Sequence, residues 1–133
     1  MTNGFDGFPP ETLGFLRQLK RNNNREWFLA HKDTYERKVK EPMTDLVLAL
    51  GYALQPLAPE LIVDPKRAIY RIYRDLRFSP DKRPYKTHVS AIFVPRGIPK
   101  KTGACLYFHI EPAEIVVAGG VYMPDAQALR VLR

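Results

Sequence analysis

Apolar residues recur at helical spacing in the first half of the chain and at strand spacing in the second. Pro9 and Pro10 precede Glu11, and Leu13, Leu16 and Leu19 follow three apart, the pattern of a short helix with proline in its first turn. Asn22, Asn23 and Asn24 break that pattern. Asn23 with Glu26 three residues on resembles a capping box, and Trp27, His31, Tyr35 and Val39 then fall four apart on one face of a second helix. Pro42 restarts or kinks it. Met43, Leu46, Val47, Leu50 and Leu54 form an apolar stripe that ends before Pro56 and Pro59, so a third helical segment supplies core material.

After Pro65 the period changes to two, and residues 68–75, 89–94, 104–111 and 115–122 each satisfy a strand pattern rich in β-formers. The sequence PRGIPKKTG, 95–103, reads as a basic hairpin loop, and Pro112 with Ala113 as a tight turn, which makes the last three strands an antiparallel meander. Pro124 and Asp125 open a further helix through Leu129 and Leu132. The expected fold is α+β: N-terminal helices on one face of a mainly antiparallel four-stranded sheet, with a C-terminal helix beginning at the chain end. No internal repeat, linker or low-complexity tract interrupts residues 1–133, which read as a single domain.

Strand alternation separates two faces. Leu106, Phe108 and Ile110 point one way, toward the helices, while Tyr107, His109 and Glu111 point the other. With a tight Pro112-Ala113 turn, Tyr107 lies opposite Ala118 and Cys105 opposite Gly120, so small residues leave a depression beside the histidine. Arg71, Tyr73 and Asp75 also share a face. The expectation is that His88 and the Arg71 face meet His109 and Glu111 across the sheet, and a structure with the two histidines on opposite faces would refute it.

Charge sharpens this picture. The chain of 133 residues has a formal net charge of +7 and a pI near 9.7, which favours acidic partners. More than half of that excess lies between Arg71 and Lys86, where Arg71, Arg74, Arg77, Lys82, Arg83 and Lys86 stand against Asp75 and Asp81. Arginine offers a planar fork of donors suited to phosphate or carboxylate, and here it is interleaved with Tyr70, Tyr73, Phe78 and Tyr85. No run approaches the roughly 20 apolar residues of a membrane span, and no secretory signal precedes the first helix. A lone cysteine, Cys105, excludes an internal disulfide, fits a reducing cytosol, and reads as a small buried side chain. A cytoplasmic location without membrane association is the expectation.

Each candidate has a plainer explanation. The arginines are also readable as solvated surface paired with nearby acids. His109 and Glu111, spaced HxE, resemble two ligands of a metal shared with His88 or Asp75. HxE alone is weak, however, and the surrounding positive charge opposes a cation, so structural hydrogen bonding is preferred and no metal is expected. His31 beside Trp27 and Tyr35 reads as helix packing, Trp27 and Phe28 as core anchors, and Gly119-Gly120 as close backbone packing or a bulge. Walker, GxSxG, HExxH and paired CxxC motifs are absent from the sequence.

The stretches FPPETLGFLRQLKRNNNREWFLAHKDTYERKVKEP, IYRIYRDLRFSPDKRPYKTHVSAIF and YFHIEPAEIVVAGGVYMPD resemble a family of conserved hypothetical bacterial and fungal proteins called domain of unknown function 2461. The resemblance spans nearly the whole chain and is densest in the RIYRD, RFS, DK, PYKTH and HIEP, GG, YMP series. It implies no activity, cofactor or catalytic residue. It does imply further C-terminal helices in longer members, so that this chain resembles a truncated one. Leu76, Pro80 and Ala113 depart from the family pattern without removing an arginine, lysine or histidine from it.

Two functions of different class follow, and a bland one. The first is an enzyme or ligand-binding domain for a phosphorylated or otherwise anionic small molecule, held by Arg71, Arg74, Arg77, Lys82 and Lys86, with Asp75, His88, His109 or Glu111 as acid/base groups. It requires a pocket. The second is a nucleic-acid or protein-binding module in which the same cations and the Arg96, Lys100, Lys101 loop track phosphates, on a flat or grooved basic surface. The third is a salt-bridge network that merely holds residues 71–88 in place.

Overall fold

The computed structural model describes residues 5–97 and 104–121. Helix α1, Pro10–Arg21, starts with proline in its first turn and buries Phe15, Leu16 and Leu19. Asn24, not Asn23, caps α2, Arg25–Ala30, by accepting from the Trp27 amide at 2.8 Å. The second helix of the sequence pattern is broken rather than continuous. His31 Nδ1 bonds the Trp27 carbonyl at 2.8 Å, so a side chain competes for the helical acceptor, and a new segment α3, Lys32–Tyr35, begins there.

A π-helical turn, Glu36–Lys40, joins α3 to α4, Glu41–Leu54. Pro42 explains the irregularity, because it has no N–H for the carbonyl four residues earlier, that of Lys38. The fully buried Thr12 of α1 donates its hydroxyl to that carbonyl instead. A helical defect thus becomes an interhelix tie. The stripe from Met43 to Leu54 packs as its periodicity predicts, and Gly51 lets α4 meet residue 63, since a Cβ there would fall 2.0 Å from Val63 Cγ1.

Among the described residues the sheet has three strands rather than four. Strands β1 (Val89–Phe93), β2 (Ala104–Ile110) and β3 (Ile115–Val121) form an antiparallel meander in the order β1-β2-β3. Of residues 68–75, expected as a strand, the first ends a one-turn helix α5, Pro65–Ala68, capped by the Asp64 side chain, and the rest follow it as irregular chain. Their backbone pairs with its neighbours through isolated bridges, Ile69 to Ala91 and Tyr73 to Tyr85, and not along a continuous ladder. Alternation of exposed and covered side chains survives, with Ile72 buried between exposed Arg71 and Tyr73, but continuous pairing does not. Pro65 with its Asp64 cap favours a turn at the start, and the Arg74 side chain draws the chain into a loop at the end. The expected C-terminal helix and most of the 95–103 loop lie outside the described residues.

Val89, Ala91, Phe93, Phe108 and Ile110 face the helices and close one core with Leu16, Leu19, Phe28, Val39, Met43 and Val47. Each of these side chains except Ala91 contributes about 1.5–3 kcal/mol by burial. Phe28 matters most for the rest of the molecule, because its ring stacks on Tyr85 at 4.2 Å. Asn23 clasps the same residue, donating to the Tyr85 carbonyl and accepting from its amide, both at 2.9 Å. The helical layer therefore fixes the chain just before Lys86 and His88. Among the described residues no helix is long and apolar enough to cross a membrane.

Candidate functional site

The segment 71–88 divides into a closed loop and an open face. Within the loop the sequence repeats Asp-x-Arg, at Asp75 to Arg77 and at Asp81 to Arg83, and both copies fold alike. Each carboxylate accepts the backbone N–H and the guanidinium of the arginine two residues on. Paired donors hold Asp75 at a pKa lowered to about 2, with the Arg77 side chain as the main cause. Asp81 is held lower still, by Arg83 first and by Arg74 as well.

Arg74 organises this loop. Its guanidinium donates to the Arg83 carbonyl at 2.8 Å, the Asp81 carbonyl at 3.2 Å and Ser79 Oγ at 3.3 Å, and pairs with the Asp81 carboxylate at 3.3 Å. Lys82 donates to the Leu76 carbonyl. Arg74, Arg77 and Lys82, expected to hold an anion, and Asp75, expected as an acid/base group, thus bond within their own loop.

The remaining candidates converge on the sheet face turned away from the helices. The rings of His88 and His109 stand on the same side, 5.2 Å apart. The Tyr107 hydroxyl shares a 2.9 Å hydrogen bond with His109 Nδ1, the Tyr107 ring meets Tyr70 edge-on, and the Lys86 ammonium lies 5.2 Å from the centre of the Tyr70 ring. One chain of contacts therefore runs from Lys86 through two tyrosines to two histidines. Burial pushes the His88 pKa below its ordinary value, the charges of His109 and Lys86 add to that, and Glu111 pulls the other way. Burial also depresses Lys86, with Arg71 as the second cause.

Among the described residues neither Arg71 nor Lys86 makes an ion pair, although every arginine of the loop does. Tyr70 and Arg71 also border a separate groove of about 680 Å³ between helices α2 to α4 and residues 64–73, lined by Lys32, Lys40 and Lys66 together with the acids Glu36 and Asp64 and not by Lys86, His88 or His109.

The β2-β3 register places Tyr107 against Ala118 and Cys105 against Gly120, as the tight turn requires. Gly120 has φ +146, open to glycine without strain, and a Cβ at Gly119 would lie 3.3 Å from Leu106 Cδ2, so conformation asks for the one glycine and close packing for the other. Glu111 and Glu114 close the two-residue turn with reciprocal backbone bonds of 3.0 and 3.3 Å. The Glu111 carboxyl, by hydrogen bond and by charge, pushes the Glu114 pKa up. Glu114 was missed as a site neighbour by sequence reasoning, and Tyr70, named among the aromatics between the arginines, was not placed beside Tyr107. The Pro112-Ala113 turn was the available signal for Glu114, since a two-residue loop sets its flanking residues face to face.

Fold and face together define a small α+β domain with helices on one side of a three-stranded antiparallel sheet and a cation- and histidine-bearing surface on the other. The family model for the conserved hypothetical proteins DUF2461 matches residues 11–133, and the chain belongs to that family. No curated protein and no solved structure matches it.

Proposed function

We propose that the face bearing Arg71, Lys86, His88 and His109 binds a phosphorylated or otherwise anionic small molecule, with the histidines and Glu111 as its acid/base groups. The observation that carries this reading is the pairing pattern. Arg71 and Lys86 lie close enough for one charge to depress the other's pKa, yet they have no acidic partner among the described residues. Holding like charges together costs free energy that a bound anion offsets. Glu111 beside His88 favours a small molecule over a long phosphate backbone, which gains nothing from a carboxylate in its path.

The test is calorimetric titration of inorganic phosphate, pyrophosphate, sugar phosphates and nucleotides, run in EDTA, against the wild type, Arg71→Ala, Lys86→Met and Arg77→Ala. The expected result is at least tenfold weaker binding for the first two variants and no change for Arg77→Ala. Equal losses at Arg77 would refute an assignment to this face. Affinity confined to oligonucleotides and falling steeply with salt would establish a nucleic-acid module instead.

A further inference from the structure

The hairpin at Pro112 and Ala113 brings together side chains that lie apart in sequence. Donor atoms of His109, Glu111 and Glu114 all lie within 4.8 Å of one another. Ligands held at about 2.0–2.2 Å from one tetrahedral ion stand roughly 3.4 Å apart, so small side-chain rotations suffice to close on an ion. The backbone need not move. His109 pairs with Val116 in the ladder, and Glu111 and Glu114 are tied to each other by the turn.

Two further features suit a metal. The Tyr107 hydroxyl fixes His109 through Nδ1, the kind of outer partner that orients metal-binding imidazoles, and leaves Nε2 to meet an ion. His88 presents a second ring 5.2 Å from the first, on the same side of the sheet. We propose that His109, Glu111 and Glu114 form a binding site for a divalent first-row transition ion, with His88 as a fourth donor. Mixed imidazole and carboxylate donors favour zinc, manganese or iron over magnesium and calcium, and two carboxylates match a divalent charge. Lys86 is the nearby opposing charge, because it acts on His88. This site stands on donor geometry and does not require that the face bind an anion, and with an ion bound His88, His109 and Glu111 act as ligands and not as acid/base groups.

Calorimetric titration of Zn²⁺ and of Mg²⁺ into the full chain, in a buffer free of phosphate, tests it. One zinc per chain is expected, bound at least a hundredfold more tightly than magnesium. Glu111→Gln with Glu114→Gln, and His109→Ala, should each weaken zinc tenfold or more, His88→Ala less, and His31→Ala not at all. Lys86→Met should tighten zinc several-fold while weakening phosphate, which separates this site from the anion reading. Zinc binding unchanged by the double glutamine variant, or magnesium bound as tightly as zinc, would overturn the assignment. Should the His109 variant not fold, Co²⁺ added to the wild type gives an independent reading. The His88 and His109 ring resonances should then shift strongly and those of His31 should not, and equal shifts on all three would also overturn it.

Discussion

Between residues 74 and 83 every arginine has a partner inside the loop, whereas Arg71 and Lys86, which flank that loop, have no ion pair among the described residues. Composition treats the two groups alike. What separates them is the spacing of acids: Asp75 and Asp81 each stand two residues before an arginine, where a carboxylate closes a turn on the following N–H and guanidinium together. Arg71 and Lys86 have no such neighbour. Charge whose partner is local builds structure, and charge left without one is available for a ligand.

Substitution should expose that difference as opposite signs. Arg74→Ala strips the loop of its central donor and leaves the Asp81 and Arg83 carbonyls to find other partners, so a loss of about 2 kcal/mol is expected in urea unfolding. Arg77→Ala removes an exposed pair and should leave the urea midpoint unchanged. Asn23→Ala deletes both hydrogen bonds to Tyr85, with an expected loss of about 1–2 kcal/mol, and loosens the anchor from which Lys86 and His88 project. Lys86→Met should leave the ligand-free protein within about 0.5 kcal/mol of the wild type or more stable, even as anion affinity falls, because it removes a charge facing Arg71. A Lys86→Met protein destabilised as much as the Arg74 variant would erase the distinction between loop and face.

Much of this was legible in the sequence. Helical periodicity located α1 and the α4 stripe, and alternation in 104–111 separated the helix-facing Phe108 and Ile110 from Tyr107 and His109. The two-residue turn then fixed the β2-β3 register. The same alternation misled at 68–75, because alternating exposure there reflects a chain lying along Ile72 and Tyr85 rather than a strand with continuous partners. Periodicity reports which side chains are covered, not what the backbone bonds. Nor does an arginine count reveal the direction of a guanidinium: Arg71 and Arg74 look equivalent in RIYRD, yet Arg74 turns into its own loop. The histidine pair was reachable because His109 sits on a well-patterned strand and His88 immediately precedes another. Their neighbour Tyr70 was not, since it reaches Tyr107 from an irregular segment.

The smallest effect gives the sharpest comparison within the loop itself. Asp75 has a folded pKa of about 2 against an ordinary value of 3.8, with its Arg77 partner as the cause. A lowered carboxylate pKa contributes stability that is fully present above the unfolded value and is lost as pH falls from there toward the folded one. The loop should therefore be indifferent to pH between 7 and about 5 and should loosen only below about 4, in the range that separates the two pKa values. Carboxyl carbon NMR titration should place the Asp75 midpoint near 2 in the wild type and raise it part of the way toward 3.8 in Arg77→Ala, where the backbone N–H of residue 77 still donates. Because Arg74 and Arg83 also hold Asp81, that residue should stay low in the same variant. If removing Arg77 raised both midpoints together, the two Asp-x-Arg turns would be one coupled network, and the loop's pairing would no longer be a matter of local spacing.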